Sequence, residues 1–71
     1  MKTYFLAGKQ DEKLYNSGIY HNNLAAARKL IAKQKKEAKA HGEDPGLYCL
    51  VAVEAPTVAS ASTLFAEGVA I

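Results

Sequence analysis

The chain has 71 residues, nearly half of them apolar, with nine basic against seven acidic side chains and a net charge of +2. This length makes one domain, residues 1–71, near the lower limit for a core without disulfide or metal staples. The apolar share excludes a disordered tail, and the slightly positive net charge makes a weak global electrostatic case for nucleic acid, so only local clustering counts.

Tyr4, Phe5 and Leu6 make residues 3–7 a short strand, which Gly8 closes. Polar residues 9–13 form a turn. Strand chemistry resumes at Leu14, Tyr15, Ile19 and Tyr20, interrupted by Asn16, Ser17 and Gly18, which either form a bulge or end the strand early. Residues 3–20 therefore read as a β-hairpin.

Residues 22–41 predict the only long helix. Asn22 and Asn23 are available as caps, Ala, Lys, Arg, Gln and Glu dominate its interior, and Gly42 follows as a stop. On a 3.6-residue period Leu24, Ala27, Leu30, Ile31, Gln34, Ala38 and His41 share one stripe. Residues 43–46, with Pro45 and Gly46, form a turn. Residues 47–54 are apolar on both alternating faces and belong at the centre of a sheet, ending before Pro56. Residues 58–62 read as a small-residue connector. Residues 63–71 alternate as a strand at Thr63, Phe65, Val69 and Ile71. They also fit a short helix capped at Ser60 or Ser62 and stopped by Gly68. The strand is favoured, because serine and threonine disfavour a helix interior.

The order strand, strand, helix, strand, strand predicts an α+β two-layer sandwich, with one amphipathic helix on a mostly antiparallel sheet of three to four strands. One face of such a sheet lacks a helix. Tyr4, Tyr15, Tyr20 and Tyr48 either set their hydroxyls at the sheet rim or build an aromatic surface on that face. A homodimer covering the open face is the corresponding expectation.

Catalytic patterns are missing. No serine lies in a nucleophile elbow, no glycine-rich phosphate loop is present, and no histidine pair has metal spacing. His21 and His41 flank the helix at roughly 30 Å, too far apart to share an ion, and His41 suits the helix end. The carboxylates fall mainly in turns. No catalytic, cofactor-binding or metal-ligating residue is assigned, and an enzyme is not expected. Cys49 is alone, so it reads as a small buried hydrophobe in a reducing compartment. The apolar run after Lys2 is too short for a signal peptide, and no stretch approaches the ~18–20 apolar residues of a membrane span. A cytoplasmic protein is expected.

The helix carries the sharper candidate. Advancing about 100° per residue, Lys35, Arg28, Lys39, Lys36, Lys29 and Lys33 follow one another along an arc of roughly 160°. Only Ala25, Ala32 and Ala40 interleave. Glu37 lies on the other flank, where Lys33 and Glu37 are spaced as an i,i+4 pair. Six adjacent cations suit an anionic partner, whether phosphate backbone or an acidic protein surface. Lysine-rich faces also serve simply to keep a surface helix soluble, and the sequence leaves that reading open.

The layout resembles small phage and prophage accessory proteins of β-β-α-β-β type, some anti-CRISPR inhibitors among them. It consists of a strand, a charged turn, the segment 14–20, an alanine- and lysine-rich helix, and then residues 47–53. The resemblance covers most of the chain in layout and carries over no signature residue. It implies a non-enzymatic protein that binds and blocks host machinery through surface charge. The leading expectation is therefore a phage-encoded inhibitor in the host cytoplasm. Its basic face would meet an acidic or nucleic-acid-binding host protein complex. The alternative is sequence-tolerant nucleic-acid binding by the same face, and a third is a dimerising module using the open sheet face.

Overall fold

The computed structural model describes all of residues 1–71. Its first element pair is an antiparallel hairpin, β1 (Lys2–Gln10) and β2 (Lys13–His21), closed by the two residues Asp11 and Glu12. Their φ angles are 51° and 65°. Both central positions are thus left-handed, as the right-handed twist of flanking strands requires in a two-residue turn. β1 continues through Gly8 to Gln10, well beyond residue 7. It is hydrogen-bonded on both edges, with Gly8 opposite Tyr15 on one side and Tyr48 on the other.

The polar interruption in β2 is a bulge. The register jumps between Phe5↔Tyr20 and Ala7↔Asn16, and Gly18 adopts φ 86°. Donors that the bulge removes from the ladder are met locally. Gly18 N–H donates to Asn16 Oδ1 at 2.8 Å and Ile19 N–H to Ser17 Oγ at 3.2 Å.

Helix α1 (Leu24–Ala40) begins at Asn23, whose Oδ1 accepts from Ala26 N–H at 3.1 Å. Asn22 ties the helix entry to β1 instead, donating to Lys2 O and Thr3 Oγ1. At the far end Gly42 turns left-handed at φ 76°. Its N–H donates to Lys39 O and that of Glu43 to Ala38 O, the paired closure of a Schellman motif. His41 ends the helix through its backbone, and its side chain is exposed. Ala27 and Ala38 are fully buried and Leu24, Leu30, Ile31 and Gln34 half-buried, so the stripe read from the sequence is the packing face, His41 apart.

A 3₁₀ turn (Pro45–Leu47), capped by Asp44, leads into β3 (Tyr48–Glu54). A two-residue strand β4 (Val69–Ala70) completes a sheet of order β2-β1-β3-β4, antiparallel throughout. The fold is α+β, with four strands in one sheet and one main helix in β-β-α-β-β order. Alternation sorts the sheet into two faces. Leu6 opposite Leu50 lies under α1, while Phe5 opposite Val51, with Ala7 and Val53, faces the other way.

The tail departs from expectation. Residues read as a connector form a second helix, α2 (Val58–Thr63), capped at Thr57 rather than Ser60 or Ser62. Thr57 Oγ1 accepts from Ser60 N–H at 3.1 Å, and Thr63 Oγ1 donates back to Ala59 O, so one threonine starts the helix and the other lies in its last turn. A 3₁₀ turn (Phe65–Glu67) follows, leaving only Val69 and Ala70 as strand where residues 63–71 were expected. Gly68 fixes this path. A Cβ there would lie 2.5 Å from Val51 Cγ1 and 2.8 Å from Val53 Cγ2, so only glycine lets the chain press onto β3.

The consequence is a second covered face. Ala61 joins Phe5, Ala7, Val51, Val53 and Ala55 in one buried cluster, with Cys49, Leu64 and Phe65 packed against it. Phe65 meets Phe5 edge-on at 5.7 Å and 82°. The helix-free face expected from the sequence is therefore roofed by the tail. No helix is long and apolar enough to cross a membrane.

Candidate functional site

All six cations of the arc, Arg28, Lys29, Lys33, Lys35, Lys36 and Lys39, are exposed. None of them is paired. The one ion pair of the molecule joins the Met1 amino group to Glu54 at 3.1 Å, and the available Lys33–Glu37 pair does not form. Burial of the Ala27–Ala38 stripe against β1 and β3 is what turns the arc outward, because the two faces of one helix are fixed together. Lys39 in the last turn complements the helix dipole. Arg28 and Lys29 lie toward the opposite end, where a cation gains nothing from it, and no acidic residue occupies the first turn. Helix stability therefore accounts for only part of the arc.

Arg28 and Lys35 border the packing stripe on the side of β3. With Ile31 they flank a cleft of about 180 Å³ whose other walls are Cys49, Leu50 and Ile71. Leu50 is buried, Cys49 and Ile31 half-buried, and Ile71 exposed. Burial pushes the Cys49 thiol above its ordinary pKa, partly offset by the cations Lys35 and Lys9. Its side chain packs against the Phe5–Val51 cluster on the other face of the sheet, and the raised pKa is that of a small hydrophobe and not of a nucleophile.

The opposite flank of α1 differs in kind. There Gln34 faces Leu6, Gly8, Tyr15, Ile19 and Tyr48 around a hollow of about 280 Å³ with no cation in its lining. The tyrosines do not gather on one surface. Tyr20 packs toward Phe5 at 6.0 Å on the α2 side, while Tyr15 and Tyr48 lie on the α1 side, where Tyr48 Oη donates to Glu43 Oε2 at 3.1 Å. Asp44 is used in capping, accepting from Gly46 N–H at 2.8 Å.

The six cations named from the sequence are therefore brought together on one face. Cys49, Leu50 and Ile71, which complete the cleft at its edge, were not legible as site residues. Arg28 and Lys35, three before and four after Ile31, were the available signal. No protein-family model matches this chain, and neither a curated protein nor a solved structure matches it at a significant level.

Proposed function

We propose that this protein is a small non-catalytic interaction module that binds an acidic surface of a partner protein through the basic face of α1. The observation that carries the reading is the unpaired state of six exposed cations on one arc. Bringing carboxylates to such a face relieves like-charge repulsion and steers encounter as well as adding contact energy. A protein partner is favoured over a long phosphate polymer for two reasons. The net charge is only +2, and Asp11, Glu12, Glu43 and Asp44 present exposed carboxylates elsewhere on the surface. The resemblance of the β-β-α-β-β layout to small phage accessory proteins points to host machinery as the source of that partner, in the host cytoplasm, with inhibition as the outcome.

Fluorescence anisotropy with labelled poly-L-glutamate and with a short DNA duplex tests the reading. Wild-type protein is expected to bind poly-L-glutamate with an affinity that falls as salt rises. The variant Arg28→Glu/Lys29→Glu/Lys33→Glu/Lys36→Glu should lose at least tenfold in affinity while keeping its circular dichroism spectrum. Unchanged binding by this variant contradicts the proposal. Preference for the duplex, with a steep logarithmic salt slope, replaces it with direct nucleic-acid binding.

A further inference from the structure

We propose that the cleft between α1 and β3 seats one large apolar side chain of an acidic peptide segment. Carboxylates on either side of that anchor would then be held by Arg28 and Lys35. The proposal presupposes that the basic face is the binding surface, and adds the chemistry of what it holds.

The cleft differs from the rest of the arc in having an apolar floor. Along Lys36, Lys29 and Lys33 the cations alternate with alanines on the outer side of the helix, where nothing but charge is offered. At Arg28 and Lys35 the arc runs down to Ile31, and β3 and the tail supply Leu50, Cys49 and Ile71 as the remaining walls. The volume, about 180 Å³, compares with the roughly 150 Å³ of an apolar cavity that holds a benzene-sized molecule. It therefore has room for an isobutyl or phenyl group.

Arg28 and Lys35 lie two helical turns apart along one row, so about 10 Å of helix axis separates their Cα atoms. An extended segment advances about 3.3 Å per residue. Acidic residues one or two positions before and after the anchor thus fall within reach of the two long cationic side chains. Charge complementarity at the rim and an apolar floor together define the occupant.

The test compares two labelled peptides, Glu-Asp-Leu-Asp-Glu and its alanine analogue Glu-Asp-Ala-Asp-Glu, together with a single-stranded oligonucleotide of equal charge. The leucine peptide should bind roughly tenfold to a hundredfold more tightly than the alanine analogue, the range expected for burying the larger side chain. Arg28→Glu/Lys35→Glu, both exposed, should abolish the difference without altering the fold. Equal affinity for the two peptides overturns the cleft proposal and leaves the basic-face reading standing. Binding of neither peptide overturns both. Tighter binding of the oligonucleotide than of the leucine peptide also overturns the cleft proposal.

Discussion

Glu12 holds a left-handed backbone, φ 65°, in a turn whose geometry favours glycine. A left-handed conformation costs a residue with a Cβ about 1–2 kcal/mol, while glycine gives back about 0.5–1 kcal/mol through unfolded-chain entropy. Glu12→Gly should therefore stabilise the hairpin by about 0.5 kcal/mol, and raise Tm by about 2–4 °C in calorimetry. Gly68 presents the opposite case. Its φ is unremarkable, but Val51, Val53 and the Ala52 carbonyl leave no room for a methyl group. Gly68→Ala should cost about 1–3 kcal/mol by chemical denaturation, the usual penalty for overpacking. At Cys49 the raised thiol pKa gives a signed pH dependence. The folded state retains the proton longer than the unfolded chain, so the contribution is intact below the thiol's ordinary pKa and declines as pH rises through the raised folded value. The stability advantage of wild type over Cys49→Ala should shrink on that alkaline side, as read from urea midpoints.

At the scale of elements, α1 was the most legible part of the chain. Its Asn23 cap and its apolar stripe, His41 apart, follow from residue spacing and are met by the packing, and the cations of the arc are exposed. Asn23→Ala should remove a cap bond worth about 1 kcal/mol and lower Tm by about 4–8 °C, whereas Asn22→Ala acts on the tether to β1. The strand β3 was equally clear, because apolar residues on both alternating positions require cover from two sides. The tail was not legible. Its serines and threonines disfavour a helix interior, yet Thr57 sits at the N-cap, where its hydroxyl is favourable, and Thr63 lies in the last turn with its hydroxyl met by Ala59 O. The apolar alternation at Phe65, Val69 and Ile71 then imitated a strand, although Phe65 packs on Phe5 from a 3₁₀ turn. Long-range packing decided this segment, and no local pattern records it. That misreading also hid the cleft, because Ile71 reaches it only along the tail's actual path.

Across the whole molecule the sheet is covered on both faces in its centre and left open at β2. Leu14, Tyr15, Ile19 and Tyr20 stay exposed on that edge strand. The bulge at Asn16–Gly18 and the charge of Lys13 are the usual guards against edge-to-edge association. The charged surface lies elsewhere, on the outer side of α1, where the same packing that buries Ala27 and Ala38 turns six cations to solvent. The central claim is that this face, and not the apolar β2 edge, meets the partner. Chemical-shift mapping of ¹⁵N-labelled protein titrated with the peptide Glu-Asp-Leu-Asp-Glu tests it most directly. The account predicts perturbations confined to Arg28–Lys39 of α1 and to Cys49, Leu50 and Ile71, diminishing as salt is raised. Perturbations centred on Lys13–His21, or none at saturating peptide, would contradict it.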